Sequence, residues 1–180
     1  MSTLKVNKII PTAGVATGQG GGIVQTIIGE TRTNVSHSLA SGATTSSAVL
    51  SAQITPTSTS SKVKISGVIT VALSNPSNSV FIKIYKGGSE ISGASSSESA
   101  GSRQTGGHAS AYVDQSWQMA TVPFCYIDSP STTSATTYQI YLSHSSGGSL
   151  TVYVNRSYDN TNNSAYIQTG SFIVLEEVSA

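Results

Sequence analysis

The stretch KVKISGVITVAL, Lys62 to Leu73, decides the fold, because its apolar residues recur with a period of two. Successive side chains of an extended chain point to opposite faces. Val63, Ile65, Gly67, Ile69, Val71 and Leu73 therefore share one face. Lys62, Lys64, Ser66 and Thr70 share the other, which Val68 and Ala72 make less polar towards the end. This is the pattern of a strand with one buried side.

The same period extends in both directions. Val80 to Tyr85 stops at Lys86-Gly87-Gly88-Ser89, whose Gly-Gly centre can take the positive φ angles of a tight hairpin. Glu90-Ile91 begins the returning strand, and Ser92 to Gly107 offers so little apolar surface that a long loop is expected. From about Trp117 to Ile127 both faces are fairly apolar, which predicts a strand that is central or covered by a neighbouring subunit. Cys125 lies inside it and reads as a small buried hydrophobe; as the single cysteine it excludes an intrachain disulfide. Asp128-Ser129-Pro130 ends that strand, since proline cannot donate to a ladder, and Ser131 to Thr137 is a polar connection across the top of a sandwich.

Tyr138, Ile140 and Leu142, the turn His144 to Gly148, and Leu150, Val152 and Val154 together predict a second hairpin. Asp159 to Ser164 is a further turn, and a last run from about Ala165 to Val178 places Phe172, Val174 and Val178 on one face. With Ile23 to Ile28, Thr31 to His37 and Ala48 to Ile54, about eight to ten short strands emerge. No window carries helical spacing with caps. The expectation is an all-β chain, an antiparallel β-sandwich of jelly-roll type.

The 180 residues suit one such domain, residues 23–180, preceded by an arm and Gly-rich linker, residues 1–22. In the arm Leu4, Val6 and Ile10 alternate, Pro11 stops the strand, and Gly14 to Gly22 forms a flexible link. A lone short strand is not stable, so the arm is expected to add to a sheet edge in another subunit or partner, with Leu4, Val6, Ile9 and Ile10 as the docking residues.

Charged residues are only 9% of the chain, against roughly 25% in ordinary soluble domains, and the net charge is +1. Such a chain has no basic footprint for nucleic acid, and its low charge suits a subunit held in an assembly. Neither a signal peptide nor a membrane span is expected, because the apolar runs are too short. Asn34, Asn155 and Asn162 head Asn-x-Ser triplets, read as chance in an Asn- and Ser-rich chain.

The sequence carries no nucleophile elbow, zincin helix, metal-spaced Cys or His, or phosphate loop. His37, His108 and His144 could meet Asp114, Asp128 or Asp159 in space, but a serine-rich chain assembles such triads easily on paper. No catalytic residue, cofactor or metal is expected. Trp117 and the eight tyrosines could stack on sugar rings, and Tyr158, Asp159, Asn160, Asn162 and Asn163 form the best cluster for receptor contact. The other reading of that cluster is an ordinary Asn- and Asp-rich turn.

Several segments carry a family resemblance: MSTLKVNKIIPTAGV at the start, ITPTSTSSKVKI (54–65), IDSPSTTSATTYQIY (127–141), VNRS (154–157) with SAY (164–166), and SFIVLEEV (171–178). The chain resembles the small tail-fibre-like virion structural proteins of phages of aquatic bacteria, particularly cyanophages. The resemblance covers most of the chain and is loose over Gly87 to Gly107. It implies a homotrimeric head like those of fibre and tumour-necrosis-factor-like proteins, docked by its amino terminus to tail, portal-vertex or capsid subunits. It implies a place in the virion, assembled in the host cytoplasm, and no catalytic motif. Tail fibre, head fibre and capsid decoration (cement) protein are left open. A carbohydrate-binding module for host glycans is the alternative from another class.

Overall fold

Eleven strands run through the residues described by the computed structural model, namely 22–75, 77–95, 107–144, 148–164 and 166–179. They are β1 (Ile23–Thr31), β2 (Val35–Leu39), β3 (Leu50–Ile54), β4 (Lys62–Leu73), β5 (Asn78–Lys86), β6 (Ser89–Glu90), β7 (Ala109–Val113), β8 (Ala120–Asp128), β9 (Thr136–His144), β10 (Leu150–Val154) and β11 (Ser171–Val178).

All pairings are antiparallel and form two sheets. In the first, β4 has β8 along one edge; along the other lie β11 and then β10, which pair in turn with β1 and β2. In the second the order is β3-β9-β5, with β6 and β7 side by side on the far edge of β5. The pairs β1/β2, β10/β11 and β6/β7 are each one interrupted column. Eight columns numbered along the chain then read 1-8-3-6 in one sheet and 2-7-4-5 in the other, the strand order of a jelly roll.

Strand β4 has the bounds and the buried face that its period of two predicts: Val63, Ile65, Ile69, Val71 and Leu73 are inaccessible. They pack with Ile173 and Leu175 of β11 and Val152 of β10 against Ile82, Ile84, Ile140 and Leu142 of the other sheet. Gly67 interrupts this row for a steric reason. A Cβ there would lie 2.1 Å from the Phe172 carbonyl oxygen and 2.8 Å from Cζ of Phe124, whose ring covers the gap. Gly87 and Gly88 have φ of 57° and 85°, as the two-residue hairpin between β5 and β6 requires.

Two polar clusters lock the core. At the end of β8 the Asp128 Oδ2 accepts hydrogen bonds from Tyr138 Oη (2.7 Å) and Lys86 Nζ (2.9 Å), joining the sheets where residues 129–135 cross between them. Burial, with the Asp128 hydrogen bond, pushes the Tyr138 phenol far above its ordinary range. On β11, Glu177 is completely buried yet accepts from Gln25 Nε2 (2.6 Å), Thr57 N–H (2.7 Å) and Thr57 Oγ1 (2.7 Å).

The structure corrects several expectations. β9 and β10 are not a hairpin, because β9 lies in the second sheet and β10 in the first, so the connection changes sheets. Residues 145–147 of the turn between them lie outside the described residues. β8 begins at Ala120, and Trp117 stands before it, 64% exposed. Within this chain β8 is an edge strand, not a central one. Val122 and Phe124 take its inner face, which turns Cys125 outward, exposed and not buried. The final strand is only Ser171–Val178, and Ile173, Leu175 and Glu177 face inward while Phe172 and Val174 face out. The segment Ala109–Val113, between the Ser92 to Gly107 loop and Trp117, is strand β7. Most of the Ser92 to Gly107 loop, residues 96–106, lies outside the described residues.

Candidate functional site

The interruption of the first sheet is built around one residue. Asn155 follows β10 with φ of 65°, a left-handed conformation that asparagine tolerates better than most side chains. It is wholly buried. Its Nδ2 donates to the Thr31 and Thr33 carbonyls (3.0 and 3.1 Å), and its Oδ1 accepts from Ser171 Oγ (2.6 Å). Its own N–H donates to the Thr70 carbonyl (3.0 Å), and Ser171 Oγ accepts from Thr70 N–H (3.0 Å). These bonds satisfy the backbone groups that the breaks between β1 and β2 and between β10 and β11 would otherwise leave buried and unpaired. Residues 156–170 are thereby free to leave the sheet as an insertion and return to it. Burial also removes Asn155 as a glycosylation acceptor.

The insertion holds every residue of the cluster Tyr158, Asp159, Asn160, Asn162 and Asn163. Arg156 lies 4.1 Å over the Tyr153 ring and donates to the Ser157 and Tyr158 carbonyls (3.2 and 3.3 Å). The Tyr153 and Tyr158 rings are 5.6 Å apart. Ser157 Oγ donates to the Asp159 carbonyl, and the Asp159 carboxylate accepts from Ser116 Oγ (3.1 Å). Asn163 N–H donates to the Thr161 carbonyl (2.8 Å), and the side chains of Asn160, Asn162 and Asn163 reach solvent. Leu4, Val6, Ile9 and Ile10 lie outside the described residues.

At the foot of the insertion an open groove of about 470 Å³ runs between the end of β1 and the start of β11. Glu30, Thr31 and Arg32 line one side, and residues 168–172 the other. Glu30 and Arg32 form a loose, solvent-exposed pair at 3.4 Å. Thr169 Oγ1 is shielded from solvent and has no hydrogen-bond partner. Sequence reasoning missed this groove because its two walls are 140 residues apart along the chain and meet only through the β1–β11 pairing, in which Glu30 faces Phe172.

The solvent side of the same sheet carries a second feature. Register aligns Ile28, Val174, Ser66 and Cys125 in one row, and Glu30, Phe172, Val68 and Pro123 in the next. Ile28 is 65% exposed, Phe172 41%, and Ile127, in a third row on the other side of the Ile28 row, 55%. Lys64 and Glu176 cross that third row as an ion pair at 2.7 Å, and the Glu176 hydrogen bond and charge raise the Lys64 ammonium above its ordinary value.

The three histidines are engaged elsewhere or stand alone. His108 Nε2 accepts from Cys125 N–H (3.3 Å), so Nδ1 carries the proton and donates to the Ala94 carbonyl (2.6 Å). His144 lies against the Gly148 carbonyl (2.9 Å), and His37 Nε2 is buried without a partner. No His–Asp hydrogen bond forms among the described residues, and no group of three His, Cys, Asp or Glu among them could hold a metal ion.

No protein-family model matches the chain, and no curated protein matches it. Among solved structures it is similar to infectious bursal disease virus, Gt strain, with a TM-score of 0.48 and 14% identity over 97% of this chain and 44% of that one. The VP2 subviral particle of the same virus aligns at a TM-score of 0.41 and 14% identity, over 94% of this chain and 43% of that one. T=1 particles derived from that virus align at 0.45 and 14%, over 95% and 41%. At this level of likeness they carry no argument about function, and the chain spans less than half of their length.

Proposed function

We propose that this chain is a non-enzymatic structural subunit of a virus particle, a homotrimeric jelly-roll knob of a fibre. In this reading Leu4, Val6, Ile9 and Ile10 dock it to tail, portal-vertex or capsid proteins, and the insertion bearing Tyr158 and Asn160 faces the host. The observation that carries it is the apolar strip of Ile28, Phe172, Val174, Cys125 and Ile127 on the solvent side of the first sheet. A monomer seldom leaves such a contiguous strip open, whereas a subunit buries it against neighbours. The 9% charge content supports the same reading, since little repulsion opposes close association. The number three and the viral setting come from the family resemblance.

Deletion of residues 1–22 tests the docking arm. The truncated protein is expected to fold but to be lost from particles, as judged by its abundance in purified virions. Normal incorporation would sink the docking reading and favour a decoration protein held by its sandwich face. Turnover of a host polysaccharide by the purified protein would overturn the non-enzymatic assignment.

A further inference from the structure

We infer that His108 is an acid-labile guard of the β8 edge, closing it while the ring is neutral and opening it when the ring gains a proton. Strand β8 pairs with β4 alone, so its other side presents backbone groups that no strand takes up. The Cys125 N–H points to that side, because it donates to His108 Nε2 (3.3 Å) and not to β4. Alternate residues of a strand share a direction, so the backbone of Thr121, Pro123 and Ile127 turns the same way. Pro123 has no N–H to offer a newcomer. The centre of the edge is therefore closed twice, once permanently by a proline and once by an imidazole reaching over from the second sheet. The root of that imidazole is fixed, since the His108 N–H donates to the Ile82 carbonyl of β5 (2.7 Å).

The second closure holds only for a neutral ring in one tautomer. Nε2 must be bare to accept from Cys125, while Nδ1–H donates to the Ala94 carbonyl (2.6 Å). The bond to Ala94 ties the ring to the turn Ser92–Ala94, whose Gly93 lies so close to the Tyr126 hydroxyl that a Cβ would stand 3.1 Å from it. Tyr126 in turn meets the imidazole edge-on, with ring centroids 6.2 Å apart. A proton on Nε2 sets two donors against each other and removes the bond to Cys125, with the bond to Ala94 kept. Closure is thus present at neutral and alkaline pH and is lost as acid charges the ring. The ionisable side chains on the elements around His108 are Lys64 of β4, Lys83, Tyr85 and Lys86 of β5, Glu90 of β6, Tyr112 of β7, and Cys125, Tyr126 and Asp128 of β8. Lys64 is paired with Glu176, Lys83 with Glu90 and Lys86 with Asp128, and the phenols and the thiol gain no charge in acid. Among the described residues the imidazole is therefore the group that switches.

The test is NMR on the 15N-labelled full-length protein between about pH 8 and pH 5, the range over which an imidazole charges. At the upper limit Nε2 of His108 is expected to be the unprotonated ring nitrogen and Nδ1 the protonated one. On acidification the hydrogen-exchange protection of the Cys125 N–H, corrected for the intrinsic effect of pH, should fall about 5- to 10-fold, the loss of one hydrogen bond. That fall should follow the charging of the His108 ring. In His108→Ala the Cys125 N–H should exchange at the faster rate at both limits, with the dependence gone. Should that variant misfold, the tautomer and the titration of the unaltered protein decide the matter on their own. The inference is overturned if the opposite tautomer is found at the upper limit, or if Cys125 keeps its protection while the ring charges. It is equally overturned if His108→Ala shows the same acid-dependent loss, since another group would then be driving it. The tautomer reads the same in one chain or in an assembly, so the guard and the structural role stand or fall separately.

Discussion

Glu177 shows how a single charge can be placed inside this sandwich. Burial on its own would raise its carboxyl, but hydrogen bonds from the Gln25, Ser61 and Thr57 side chains and from the Thr57 N–H outweigh it and hold the group at about 2. A carboxyl held below its ordinary 4.5 contributes stability that is complete above that value and is lost as the pH falls towards about 2. His37 adds a smaller loss at higher pH. Burial lowers its imidazole below 6.5, so acidification through that range charges a group the fold holds neutral. Urea midpoints are therefore expected to decline gently below pH 6.5 and steeply below pH 4.5. Glu177→Gln should lose about 1–3 kcal/mol at neutral pH and flatten the steep limb. An unchanged limb would mean that the Glu177 cluster is not what acid dissolves.

At the scale of elements, strand β4 and the β5–β6 hairpin were legible in the sequence because their signals are local: alternation over twelve residues in one, a Gly-Gly turn in the other. Gly67 belongs to that alternation but answers to its neighbours. Gly67→Ala would drive a methyl into the Phe172 carbonyl and the Phe124 ring, and is expected to cost about 1–3 kcal/mol in denaturant unfolding. A neutral result would show that β4 and β11 lie further apart than described. What stayed illegible depends on distant partners. The sequence of β9, turn and β10 looks the same whether the chain stays in one sheet or changes to the other; the choice is made by β3 and β5 on one side and β2 and β4 on the other. The exposure of Cys125 was hidden similarly, since both faces of β8 are apolar and only the packing of Val122 and Phe124 selects the inner one. β7, Ala-Ser-Ala-Tyr-Val, is too short and small-residued to stand out from the adjoining loop. Of the candidate site, the cluster at 158–163 could be found as a loop, but its seating on Asn155 and the groove beneath it follow from pairings across the whole chain.

As a whole molecule, the chain closes its core internally and leaves one sheet face apolar. Leu, Ile and Val of both sheets fill the interior, while Ile28, Phe172 and Ile127 remain outside on a surface with few charges. The β8 edge is guarded by Pro123 and by the His108 ring on the Cys125 N–H, so association through that edge is discouraged. The proposed knob requires that copies of the same chain bury the apolar sheet face. Light scattering of the full-length protein in solution decides this by mass. The expected value is that of three 18.5 kDa chains, stable on dilution. The mass of one chain at every concentration would contradict it.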